Sequence, residues 1–167
     1  EANAEALKLL NSGVDSLGFC IAKEDFTAED LETLLAGIVL SAVELTFSGK
    51  CVCELVLAKL EKEGVEDAFI SFDADPVVKG CANEGKVCCC FDKVVELVKQ
   101  AAKWKHVRPI TINARLFGNA GSTIVEELAF ALSAGQEYMA RLTDAGVSAD
   151  TAARAIRFAF SGSSNYF

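Results

Sequence analysis

Apolar residues recur along the chain in two alternating rhythms. One has a spacing of three or four, as in Leu31, Leu34 and Leu35, then Cys53, Val56, Leu57 and Leu60, then Phe91, Val94, Val95, Val98 and Ala102. A longer run of the same kind is Ile124, Leu128, Leu132, Gly135, Met139 and Leu142, with Glu126, Glu127, Glu137 and Arg141 between. These are amphipathic helices, and the apolar positions are expected to face the core. Thr27-x-x-Asp30 and Thr123-x-x-Glu126 are capping-box patterns at the starts of two of them.

The second rhythm is short and rich in β-branched and aromatic residues. It follows Gly13 (Val14 to Ile21), Gly37 (Ile38 to Phe47) and Gly64 (Val65 to Phe72), and, after Gly146 and a short helix, returns at Ile156 to Phe160. Glycine just past a helix takes the left-handed conformation that ends it, and the chain turns back into a strand. A further strand, Arg108 to Asn113, lacks the glycine. The stretch from Pro76 to Cys90 has no period and reads as a long loop after the third strand.

Five strands separated by helices predict βα units around a parallel sheet. Two architectures fit, an open doubly wound sheet or part of a (β/α)8 TIM-type barrel. No G-x-G-x-x-G follows a strand and no phosphate-binding G-x-x-x-x-G-K-[ST] occurs, so neither nucleotide fingerprint supports the open sheet. A whole barrel takes about 250 residues, so 167 residues hold five of its strands, expected in chain order.

Composition narrows the picture. The 167 residues read as a single domain, 51% hydrophobic and 24% charged, which excludes a disordered segment. No apolar run is long enough to span a membrane and no leader pattern is visible, which points to a cytoplasmic protein. The net charge of −8 argues against a nucleic-acid partner. The seven cysteines include Cys51-Val-Cys53 and Cys88-Cys89-Cys90, too tight for zinc knuckles, and only one histidine is present; free thiols and no bound metal are expected. Both ends read as cut, and an incomplete barrel exposes strand edges, so the chain is expected to associate with itself.

In a parallel α/β domain, chemistry gathers at the carboxyl ends of the strands. Those ends carry Asp73 and Asp75, then Asn113 and Arg115, then Ser161, Ser163 and Ser164. The two aspartates would serve as acid and base or as hard-metal ligands, although aspartate after a strand more often satisfies turn amides. Arg115 would clamp a phosphate or carboxylate, or make a structural ion pair. His106 precedes its strand, at the end that serves stability. No nucleophile elbow or cysteine–histidine pair is present.

The stretch Arg108-Pro-Ile-Thr-Ile-Asn-Ala-Arg-Leu-Phe-Gly-Asn-Ala-Gly121 resembles the methylmalonyl-CoA mutase family. So do Glu126 to Gly135, Tyr138, Leu142-Thr-Asp-Ala-Gly146, Ile156-Arg-Phe-Ala-Phe160 and Asn165-Tyr-Phe167. Residues 1 to 100 agree mainly in order and spacing.

The resemblance implies a TIM-barrel substrate domain threaded by the pantetheine arm of CoA. It also implies adenosylcobalamin-dependent radical interconversion of methylmalonyl-CoA and succinyl-CoA, with cobalamin on a separate C-terminal domain not found in residues 1–167. At the end of the strand holding Thr111 to Leu116, catalytic members carry a Tyr-His pair whose histidine holds the thioester carbonyl. Here those positions are Arg115 and Leu116, and a family glutamine aligns with Ser71. Ser71, Asp73, Asn113 and Arg115 are the candidate substrate-binding residues; no catalytic residue is assigned.

These departures resemble the small, non-catalytic subunit, whose partner is a catalytic large subunit, with acyl-CoA bound weakly at most and no cobalamin on this chain. The alternatives are an active mutase of altered substrate range using Arg115, or an acyl-CoA-binding module without turnover.

Overall fold

The computed structural model describes residues 1–49, 52–82 and 91–162. Helix α1 (Ala2–Asn11) precedes strand β1 (Ser16–Cys20), and α2 (Ala28–Leu35) leads to β2 (Glu44–Ser48). Then come α3 (Val52–Glu63), β3 (Ile70–Phe72), α4 (Pro76–Ala82), α5 (Phe91–Ala101), β4 (Val107–Arg108) and β5 (Ile110–Asn113). Helices α6 (Arg115–Asn119), α7 (Ile124–Asp144) and α8 (Ala149–Ala155) connect β5 to β6 (Ile156–Ala159). Gly13, Gly37, Gly64 and Gly146 all have positive φ, as their places after helices predict. Both capping boxes form: the Thr27 and Thr123 hydroxyls accept from the Asp30 and Glu126 amides, and each carboxylate reaches back.

All strand pairs are parallel. One ladder runs β1-β2-β3-β4, and a second joins β5 to β6, so chain order is kept throughout. The single strand expected at Arg108 to Asn113 is divided at Pro109, which has no N–H to give a ladder. The Phe72 carbonyl accepts instead from the Thr111 hydroxyl at 2.7 Å, so a side chain carries the sheet from β3 to β5.

Strands are shorter than the apolar runs that predicted them. Ile38, Leu40 and Val43 lie in turns before β2 and are buried there, apolar because they pack. The helix-facing side of the first ladder carries Leu17, Leu45, Phe47, Ile70, Phe72 and Val107, packed on Leu31, Leu35, Val56 and Leu60. Phe19, Phe47 and Phe72 stack in a row with centroids 5.6 and 6.1 Å apart. A second core joins Ile110 and Ile112 to Ala131, Ala134, Tyr138 and Leu142 of α7. Gly135 completes that face: a Cβ there would lie 3.0 Å from the Phe158 ring.

Two expectations need correction. The aperiodic stretch does not begin as a loop, because Pro76–Ala82 is helical; Asp75 caps it, donating none and accepting the Val78 amide at 3.0 Å, with proline at the first helical position. Residues 83–90, with Cys88 to Cys90, lie outside the described residues. In α7 the buried face is Glu127, Ala131, Ala134, Gly135, Tyr138 and Leu142, whereas Ile124, Leu128 and Leu132 are exposed. Small residues let the helix approach the sheet, and the larger apolar residues flank that contact. No helix among the described residues is long and apolar enough to cross a membrane.

Candidate functional site

Alternation along the strands sorts residues between two faces. With Leu17, Leu45 and Ile70 turned to the helices, the other side of the sheet holds Ser16, Gly18 and Cys20 of β1, Glu44, Thr46 and Ser48 of β2, and Ser71 of β3. On β5 and β6 the same side holds Thr111, Asn113 and Arg157. Parallel barrels ordinarily fill this inner side with bulky branched residues. Here it is polar, and small except for Glu44, Asn113 and Arg157.

The sheet is strongly curled. Arg157 of β6 brings Nη1 to 3.4 Å from Thr46 Oγ1 of β2, and 3.7 Å from the Glu44 carboxylate. Two strand positions lie between β2 and β6, so a flat sheet would hold them about 14 Å apart at the usual strand spacing, too far for one arginine to cross.

Asp75 organises the carboxyl edge. Its carboxylate is buried and accepts three bonds: from the Tyr138 hydroxyl at 2.7 Å, the Val78 amide at 3.0 Å and the Asn113 amide at 3.0 Å. The Tyr138 oxygen also accepts the Val77 amide at 3.2 Å. Burial, and then the neighbouring Asp75 carboxylate, push the Tyr138 phenol far above its ordinary range, so it stays a donor. One carboxylate thus ties β3, α4, β5 and α7 together. With its oxygens committed to N–H and O–H donors, Asp75 has the environment of a structural carboxylate that satisfies turn amides. Asp73 extends the β2–β3 ladder, its amide donating to the Phe47 carbonyl at 3.0 Å. Ser71 lies on the inner side and is buried.

Asn113 meets Arg115: the guanidinium Nε donates to Asn113 Oδ1 at 2.9 Å. Arg115 and Leu116 do not continue the strand. Ala114 has already taken helical angles (φ −62°, ψ −20°), and the two residues open α6, both exposed. Strand alternation therefore does not set them on opposite sides of β5. His106 sits at the opposite, amino-terminal end of its strand, its ring stacked on Phe69 at 4.4 Å.

A second buried carboxylate was not legible as a site residue. Glu127 accepts the Ser161 amide at 2.8 Å and its hydroxyl at 2.7 Å, which hold its carboxyl below the ordinary glutamate range. Gly118 packs against both; a Cβ there would lie 2.6 Å from Glu127 Oε2 and overlap Ser161 Oγ. The chain leaving β6 is thus pinned to the first turns of α7. Its spacing from Ala131, Ala134, Tyr138 and Leu142 marks Glu127 as sharing their face, the one sequence signal available. Ser163 and Ser164 lie outside the described residues. Among those described, no three histidine, cysteine or acidic side chains gather to hold a metal.

Parallel βα units in chain order, with a polar inner face and a built carboxyl edge, define an α/β domain of the class that places ligand chemistry at the ends of its strands. The chain belongs to the methylmalonyl-CoA mutase family, whose family model, described as "Methylmalonyl-CoA mutase", matches residues 10–167. It is similar to the methylmalonyl-CoA mutase small subunit of Porphyromonas gingivalis, 35% identical over 179 residues that cover 100% of this chain and 28% of that protein. The small subunit of Streptomyces virginiae is 26% identical over 172 residues (99% of this chain, 28% of the relative). That of Propionibacterium freudenreichii subsp. shermanii is 25% identical over 169 (96% and 26%). The chain therefore spans little more than a quarter of the length of these curated relatives.

Proposed function

We propose that this chain belongs to a small, non-catalytic mutase subunit, forming five strands of its (β/α)8 barrel within one domain, and that it supports a catalytic large subunit in the cytoplasm. The reaction served is the interconversion of methylmalonyl-CoA and succinyl-CoA. The observation that carries this reading is the end of β5. Where the resemblance calls for a Tyr-His pair, Arg115 and Leu116 stand there, and leucine has no donor for a thioester carbonyl. A preorganised donor of that kind is worth roughly 3–4 kcal/mol of barrier.

Adenosylcobalamin would supply the radical in the complete enzyme. The donor set here does not fit that group: the chain's one histidine, His106, is stacked on Phe69 at the far end of its strand, and Asp75 is fully engaged. We therefore assign no cobalamin-binding residue to this chain, and its partner is the natural holder of cofactor and substrate.

The test uses the intact subunit purified free of its partner, with adenosylcobalamin and methylmalonyl-CoA. No succinyl-CoA should form until the large subunit is added, and Leu116→His alone should not restore turnover. Turnover by the lone subunit comparable to that of the pair would overturn the assignment. It would favour the second reading, an active mutase of altered range, for which the exposed, Asn113-oriented Arg115 is the supporting observation.

A further inference from the structure

The chain that leaves β3 meets one side chain of α7 twice, where α4 begins and again where α5 begins. At the first meeting the Tyr138 hydroxyl accepts the Val77 amide at 3.2 Å and donates to Asp75 at 2.7 Å. At the second, the ring of Phe91, the first residue of α5, stacks on the Tyr138 ring with centroids 5.6 Å apart and planes 21° from parallel. One turn further along α7 the Arg141 guanidinium lies over the same Phe91 ring, 4.9 Å from its centroid, and is itself paired with Glu137. Val77 and Phe91 both pack on the second core, whereas β3 belongs to the first.

The two holds differ in kind. A hydrogen bond in a buried site is directional and places one backbone N–H, whereas a ring stack with a cation on the far side places a side chain through area and quadrupole. We infer that Tyr138 is a two-sided anchor for the β3–α5 connection: its hydroxyl sets where α4 begins, and its ring, backed by Arg141, sets where α5 begins. Each hold acts on its own end, so loss of one frees that end alone. The phenol is fully buried on α7, which registers both ends to the same helix. The connection departs from the carboxyl end of β3, where parallel α/β domains place ligand chemistry, and the anchor fixes the span it covers there. It also joins the two cores, because α5 sets Leu97 and Ala101 on the first and Val94 and Val98 on the second.

Hydrogen–deuterium exchange of the intact subunit tests the anchor, with α3 as the reference for any change in overall stability. In Tyr138→Phe the amides at the start of α4 should exchange roughly tenfold faster, beyond whatever factor α3 shows, as loss of one buried hydrogen bond requires. The first turns of α5 should stay within about twofold of that reference. Phe91→Leu, which removes the stack and keeps the hydroxyl, should give the converse. Tyr138→Leu should release both ends, and where it fails to fold the two single-hold variants decide. Both ends loosened by either single-hold variant, or an end unmoved by loss of its own hold, overturns the anchor.

Discussion

Replacing Tyr138 with phenylalanine removes a single oxygen from the centre of the carboxyl edge. That oxygen donates to Asp75 at 2.7 Å and accepts the Val77 amide at 3.2 Å, and the ring is fully buried. A hydrogen bond to a charged acceptor contributes about 1.5–3 kcal/mol, and the long amide bond adds little, so Tyr138→Phe should cost about 2–3 kcal/mol. For a domain of this size that is a fall in Tm of roughly 4–12 °C at pH 7. The pH dependence is a sharper check. The folded phenol holds its proton well above the ordinary tyrosine value of 10.0, so its contribution is fully present below pH 10. Above that value the unfolded phenol ionises while the folded one does not. Wild-type stability then drops by about 1.4 kcal/mol per pH unit from this group alone. The variant lacks that term, and the remaining titrating groups are common to both proteins. The stability gap should therefore be widest near neutrality and narrow between pH 10 and 11, read by thermal or urea melts followed by circular dichroism. A Tm within 1 °C of wild type at pH 7, or a gap that stays constant to pH 11, would refute the account of Asp75 and Tyr138 as one buried unit.

At the acid end the corresponding group is Glu127, whose lowered pKa comes from the Ser161 amide and then the Ser161 hydroxyl. Its contribution is present above the ordinary glutamate range and lost as pH falls through the depressed value; acid melts of Glu127→Gln should show a shallower decline than wild type over that window. The edge of β6 that pairs with no strand among the described residues, and the exposed Ile124, Leu128 and Leu132, predict concentration-dependent association of the 167-residue chain, seen by analytical ultracentrifugation, which Leu128→Lys with Leu132→Lys should weaken. A monomer at all concentrations, unchanged by the substitutions, would count against it. Thiol titration under denaturing, non-reducing conditions should find all seven cysteines free, and fewer than five would contradict the expected reducing compartment.

Local signals were enough for the framework. Capping boxes at Thr27 and Thr123, glycines after helices and apolar strands specified parallel βα units in chain order, because each acts within a few residues of itself. The residues Arg108 to Gly121 and their downstream matches carried the family. Element ends were less legible. Pro109 divides a strand that its apolar pattern continues through, and Pro76 opens a helix that depends on the Asp75 carboxylate, itself held by Tyr138, 63 positions away.

Long-range pairing was invisible for the same reason. Nothing near Glu127 announces Ser161, and nothing near Arg157 announces Thr46, 111 residues earlier. The inner or outer side of each strand could be read from alternation once the buried side was known, but which inner residues meet depends on how far the sheet curls. The same holds for α7, where periodicity found the helix and packing chose its buried face. Small residues admit close approach to β5 and β6, so Ala131, Ala134 and Gly135 went inward, leaving Ile124, Leu128 and Leu132 outside. Hydrophobicity ranks residues by their cost in water; the shape of the neighbouring surface decides which of them it can accommodate.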